Sequence, residues 1–232
     1  MSVLCGLLGI MLAAWAAYAL LPTIYCKHLR DHRLRGQGRQ ILLSFDDGPD
    51  PVYTPQLLEL LARQQAPALF MVLGEQAARY PWLLGQMLEQ GHTVGLHGGS
   101  HRNPWLLTPW QMRREFEQGL RVLQGLGVPV KYYRPPHGNI NLATLYYARR
   151  YRLRIVLWSV MVGDWRIAGA DEIADRLLDA VNDRAVICLH DAGEHSGGAA
   201  GAPRQTIAAL ERLLPLWRRQ GYAFAAAGEA RL

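Results

Sequence analysis

The sequence predicts an α/β fold, a distorted (β/α) barrel of about seven parallel strands preceded by one N-terminal transmembrane helix. Three observations carry this reading. From residue 40 onward, short apolar runs alternate with amphipathic helical stretches. Polar residues able to do chemistry stand where those runs end. Ser2 to Tyr25 carries no charged side chain.

That uncharged segment is long enough to cross a membrane, since about 20 helical residues at 1.5 Å each span a ~30 Å hydrocarbon core. A cleaved signal peptide is the alternative, and Ala17-Tyr18-Ala19 faintly resembles a cleavage site. No Lys or Arg precedes the apolar run, however, and cutting there would leave Leu20 to Tyr25 exposed. Residues 1–26 therefore read as a retained anchor in the cell membrane, with Pro22 kinking or stopping its helix. Residues 27–39 read as a basic juxtamembrane linker. There Lys27, Arg30, Arg33, Arg35 and Arg39 stand against Asp31, a net of four of the chain's six positive charges. Charge placed this way suits a membrane surface and argues against a nucleic-acid partner. Counted by the positive-inside rule, it puts the domain in the cytoplasm. Cys5 and Cys26 lie in or beside the anchor, and Cys188 sits in an apolar run. No disulfide framework follows, and Cys188 reads as a small buried hydrophobe.

Residues 40–232 form one domain, with 50% hydrophobic residues in the chain to build its core. Strands are expected at Gln40–Phe45, Ala68–Leu73, Thr93–Leu96, Lys131–Arg134, Leu153–Trp158, Ala185–Leu189 and Tyr222–Ala225. Helices are expected near Thr54–Gln65, Pro81–Gln90, Thr108–Leu126, Leu142–Tyr151, Asp171–Asn182 and Pro203–Gln220. Thr108, Pro109 and Gln111 supply an N-cap, a first-turn proline and a capping-box partner. Gly127 and Gly221 close helices.

On that map Asp46 and Asp47, His97, Arg134, Asp164 and His190 fall at or beyond the carboxyl ends of strands, and His101 lies in the loop after His97. Barrels of this class build their active sites there. Adjacent carboxylates at the mouth of a buried strand repel one another unless a cation is near. One could hold a metal and leave the other free to move protons, although Asp46-Asp47-Gly48-Pro49 alone is also an ordinary turn. His97 and His101 are four apart, but Gly98-Gly99 disfavours a helix, so a turn must aim the two rings. Two His and an Asp suit Zn²⁺ with open coordination positions. They equally make the facial triad of a non-haem iron oxygenase. Each residue has a plainer reading: Arg134 as a surface ion-pair partner, Asp164 as a cap, His190 as a core histidine, Trp165 as packing. His92 reads as structural, and His28, His32 and His195 as solvated.

Ser44-Phe45-Asp46-Asp47-Gly48-Pro49, the His97…His101 pair, Arg134-Pro135-Pro136-His137-Gly138, Asp164-Trp165 and Cys188-Leu189-His190 resemble the five ordered motifs of the polysaccharide deacetylase (NodB-homology) family. The resemblance spans roughly Gln40 to Ala225. It implies removal of N-acetyl groups from amino sugars. It also implies Asp47, His97 and His101 as ligands of a divalent metal, Zn²⁺ ahead of Co²⁺, Ni²⁺ or Mn²⁺. Asp46 would be the general base, Arg134 its orienting partner, His190 the general acid and Asp164 the carboxylate that keeps that acid charged. A backbone N–H near His137 would help bind the oxyanion, with His137, Trp165 and Pro136 against the substrate.

The sequence also departs from the family pattern. Gly98 stands where Ser or Thr is usual, removing a hydroxyl from the loop. His137 replaces an aromatic wall residue, Met161 a further Asp, and Cys188 a Leu. The expected substrate is an N-acetylated glycan such as peptidoglycan or a chitin-like polymer, or a lipid-linked amino sugar on whichever membrane face the domain occupies. The expected assembly is a monomer. The alternatives are a catalytically idle glycan-binding relative and the iron oxygenase, for which Asp46 and His190 would have no use.

Overall fold

A computed structural model describes residues 2–166 and 169–228. Met1 of the anticipated anchor and residues 229–232 of the anticipated domain lie outside them.

The chain opens with α1 (Ser2–Trp15), a π-helical turn at Ala16–Leu20, and α2 (Leu21–His28). Contrary to expectation, Pro22 does not end the helix. The π turn lets Leu21 N–H bond the Ala16 carbonyl, so the proline that lacks an N–H falls where the register has already changed. Leu4–His28 forms one 25-residue helix containing an 18-residue stretch of mean hydropathy 2.1, long and apolar enough to cross a membrane.

Parallel strands β1 (Gln40–Asp46), β2 (Ala68–Val72), β3 (Thr93–Leu96), β4 (Tyr132–Tyr133), β5 (Arg154–Ile155), β6 (Val160–Met161) and β7 (Val186–His190) make a curled half-barrel in the order β5-β4-β3-β2-β1-β7-β6. A short β8 (Ala223–Phe224) pairs with the start of β1. Among the described residues no ladder joins β5 to β6, so the barrel stays open there. Helices α3 (Tyr53–Arg63), α4 (Gly74–Arg79), α5 (Pro81–Glu89), α6 (Pro109–Gly125), α7 (Leu142–Arg150), α8 (Ala170–Ala180) and α9 (Ala202–Arg219) cover the outside. The six expected helices are present, together with α4. The Thr108–Gln111 capping box forms, and Gly127 and Gly221 end helices at φ +72° and +86°, where a Cβ would be strained.

Period two along the strands sorts the side chains. Ile41, Leu43 and Phe45 of β1 face the helices in the main core, as do Phe70, Leu96, Tyr133 and Leu189. Leu42, Leu69, Met71, Tyr132 and Val186 point into the barrel, closed below by Leu34 and Ala227. Leu34 is buried and its N–H bonds the Arg184 carbonyl, so the basic segment expected to be a free linker plugs the barrel floor. The same alternation carries Asp46 inward at the strand end. Register then pairs Ser44 with Cys188 and Asp46 with His190 across β1 and β7.

Candidate active site

Asp47 follows β1 in a left-handed conformation, φ 78°, which an aspartate tolerates better than most residues. Its Oδ1 lies 3.3 Å from Nε2 of both His97 and His101, and it is buried with no hydrogen-bond partner. The other oxygen accepts a 2.6 Å bond from Ser196 Oγ. His97 Nδ1 sits 2.8 Å from the Arg134 carbonyl, which can only accept. The Nδ1 proton is fixed by that carbonyl, which turns Nε2 toward Asp47. Burial pushes His101 down to about 4. Two imidazole nitrogens thus converge on an orphaned carboxylate oxygen, an arrangement that a cation among them would satisfy. The donor set thus fits a divalent metal, and its ligand atoms fall within 4.8 Å of one another. Burial alone would raise the Asp47 carboxyl, but the imidazoles opposite overcome it and hold that carboxyl well below the usual range.

Asp46 is also buried but differently held. Arg134 Nη1 donates to its Oδ1 at 2.6 Å, while Arg134 Nε donates to the Val156 carbonyl at 3.0 Å. Fully buried and pinned at both ends, Arg134 is an internal orienting partner and not the surface residue of the plainer reading. Cys188 Sγ donates to Asp46 Oδ2 at 3.3 Å, so this cysteine is more than a small hydrophobe filling space. Asp46, Cys188 and His190 form a second group of potential metal donors. Burial, with the Asp46 charge beside it, pushes the Cys188 thiol well above its usual value. It stays protonated and donates, so the Asp47–His97–His101 group is the better metal centre.

His190 stands beside Asp46 at the end of the neighbouring strand. Its ring Nδ1 is 2.9 Å from Asp164 Oδ1, and its backbone N–H donates to Asp164 Oδ2, which also accepts from Thr206. Burial works against charge on this imidazole, but the Asp164 carboxylate prevails and raises it to about 9. Asp164 is 1% exposed and therefore acts as a buried counter-charge, not a helix cap.

The cleft between these groups holds about 270 Å³ and is lined also by His101, His137, Trp158, Met161, Trp165 and the turn at Ser196–Gly198. Trp165 stacks edge-on to His190 at 5.1 Å, and His137 to His101 at 4.6 Å. Pro136 does not line it. This proline is buried beneath the histidine loop, 3.7 Å from where a Gly98 β-carbon would stand. Gly98 itself has φ +111°, so the loop requires glycine, and its carbonyl accepts from Gly74 N–H.

The structure adds residues that the sequence reading passed over. Buried Glu115 of α6 accepts from Ser100 N–H and Oγ at 2.8 and 3.1 Å, tying down the loop before His101. His195 is exposed as expected, yet its Nε2 lies 3.1 Å from the Asp47 carbonyl, and His32, also expected in solvent, buries its Nε2 atom. His92 is structural as expected, its Nδ1 accepting from Ala68 N–H at 3.2 Å.

Residues 34–156 match the polysaccharide deacetylase family model. The chain is 32% identical over 191 residues to a peptidoglycan-N-acetylglucosamine deacetylase of Bacillus cereus, covering 82% of this chain and 86% of that one. It is 34% identical over 202 residues to a chitooligosaccharide deacetylase of Sinorhizobium fredii, covering 84% and 94%. The crystal structure of the Bc1960 peptidoglycan N-acetylglucosamine deacetylase superposes with a TM-score of 0.77 at 29% identity, over 84% of this chain and 89% of that one. The motifs at the strand ends, the half-barrel that carries them and these likenesses agree: the chain belongs to the polysaccharide deacetylase family and is a hydrolase of carbon–nitrogen bonds in glycans.

Proposed function

We propose that this protein is a metal-dependent deacetylase that removes acetyl groups from N-acetylated amino sugars of a peptidoglycan or chitin-like glycan, the substrates named for its relatives. The observation that carries the reading is the orphaned Asp47 oxygen facing two imidazole nitrogens, with Asp46 and His190 lining the same cleft. Asp47, His97 and His101 would hold the cation, Zn²⁺ first. When bound, the metal supplies Lewis acidity that polarises the amide carbonyl and makes water a better nucleophile.

The chain's own residues do the rest. Asp46, oriented by Arg134, takes the proton from the attacking water as its oxygen bonds to the carbonyl carbon. His190, kept protonated by Asp164, gives a proton to the amide nitrogen. The carbon–nitrogen bond then breaks to acetate and an amine, since an unprotonated amine leaves poorly. His137 and Trp165, together with Trp158, wall the cleft and exclude water from a bound sugar.

The apolar helix would anchor the protein as a monomer, with the basic residues after Lys27 at the membrane surface. Acetate release from chitooligosaccharide, peptidoglycan and a lipid-linked N-acetyl amino sugar tests the proposal on purified full-length chain. Activity should vanish on chelation and return with Zn²⁺. Acetate release that is unaffected by exhaustive chelation would refute the metal role, and no release from any of the three would refute the activity.

A further inference from the structure

The N-terminal helix is docked on the domain as well as joined to it. Trp15 Nε1 donates to the Trp105 carbonyl, and the two indoles meet edge-to-face at 5.6 Å. Tyr18 donates to the Leu107 carbonyl. Thr23 Oγ1 donates to the Ile140 carbonyl at 2.7 Å and accepts from Ile140 N–H and Trp105 Nε1, all at 2.8 Å or less. Lys27 Nζ donates to the His137 carbonyl and lies over Trp158. This polar network, buried at Thr23 and Ile140, fixes the helix against the protein along its last half.

A helix held against the domain in this way cannot enter a bilayer without bringing the adjoining domain surface to the lipid interface. That surface has the required character. The segments touching Trp15 and Tyr18 carry Leu106 (77% exposed), and the neighbouring starts of α6 and α7 carry Trp110, Leu142 and Tyr146 (62% exposed). Arg113 and Arg114 both set their guanidinium groups against the Trp110 ring; Arg113 is ion-paired to Glu117 at 2.8 Å, and Arg114 is placed for a lipid phosphate.

We infer that Trp105, Leu106, Trp110, Leu142 and Tyr146 form a collar around the helix that seats in the lipid interface, so that the catalytic domain lies partly in the membrane surface. The occupant of this apolar face is the bilayer, because the face is continuous with an apolar helix and bordered by arginine. The inference rests on the anchor being retained.

The test uses the full-length chain with Cys5→Ser in vesicles of phosphatidylethanolamine and phosphatidylglycerol. A nitroxide is attached at Leu106→Cys or Tyr146→Cys, and at Leu178→Cys on α8 as reference, all three exposed positions. Collision with oxygen relative to a water-soluble nickel chelate should be severalfold higher at the first two positions than at the third. Equal, water-like ratios at all three overturn the inference. So does spin–spin broadening at position 106, which would put a second copy on this face, or loss of the helix by cleavage. Acetate release is read from the same vesicles: full activity with water-like labels sinks the collar alone, and lipid-shielded labels without acetate sink the enzymatic reading alone.

Discussion

Asp46 and Asp47 are neighbours with opposite surroundings, and that difference underlies the roles proposed for them. Asp46 is oriented by Arg134 and Cys188, one donor to each oxygen, whereas Asp47 keeps a bare oxygen before two imidazoles. Asp46→Asn should therefore retain bound metal while losing activity by at least ~100-fold, the usual scale for a general base, measured by metal analysis and acetate release. His190 offers a pH test. Its charged form is favoured in the folded protein, so the stabilisation is complete below its ordinary value near 6.5 and is lost as pH rises through about 9. Activity should fall on the alkaline side in the same window, and Asp164→Asn should move that fall to lower pH. An unmoved alkaline limb in this variant would show that Asp164 does not govern the acid. Most of these residues were legible in the sequence because chemistry confines Asp, His and Arg to strand ends in a recognisable order. Ser196 was not, for a serine in a glycine-rich turn carries no signal until the fold brings it to Asp47.

At the scale of elements, α6 acts as the clamp for the loop that bears His101. Its Gly119 lets the helix approach so closely that an added β-carbon would overlap Leu96 and meet the Gly98 carbonyl at 3.0 Å. One turn earlier Glu115 holds Ser100. Gly119→Ala should destabilise the fold by about 1–3 kcal/mol through overpacking, read by thermal unfolding. Glu115→Gln should weaken metal binding more than stability, because it loosens the backbone bearing His101; unchanged metal affinity would reduce Glu115 to a structural partner. The signal for Glu115 was present and unread, since it falls on the face of α6 that buries Met112, Phe116 and Leu120. The missed β6 and α4 are short, two and six residues, too brief for any periodicity to register. Long β1 and β7, by contrast, show openly as continuous apolar runs, and with them the strand-end positions of Asp46 and His190.

For the whole molecule, the half-barrel is closed at the bottom by residues from both ends of the domain. Leu34 and Ala227 meet Leu42, Leu69 and Val186 inside it, and Tyr132 Oη donates to the Ala227 carbonyl. Leu34→Ala should lower unfolding stability by about 2–5 kcal/mol, the range for emptying a buried leucine site, with activity at low temperature little changed. A shift below that range would mean the segment before β1 is the detachable linker that its charges suggest. Parallel strands between helices made the architecture readable, but nothing in the run Lys27–Arg39 distinguished Leu34 from its solvated neighbours. The seating of the helix was equally hidden, because Thr23 and Trp105 are distant in the chain and each is unremarkable alone.

Lys27, the last positive group of the helix, touches both His137 and Trp158 on the rim of the cleft. With the helix as the proposed anchor, the catalytic mouth would be gauged against it: the enzyme would carry a built-in ruler, with its reaction zone at a set height within a nanometre or so of the lipid phosphates (~1.5 Å per helical residue above the hydrocarbon edge). Sugars farther along a growing strand would escape it, and the acetyl groups removed would be those nearest the point where the glycan meets the membrane.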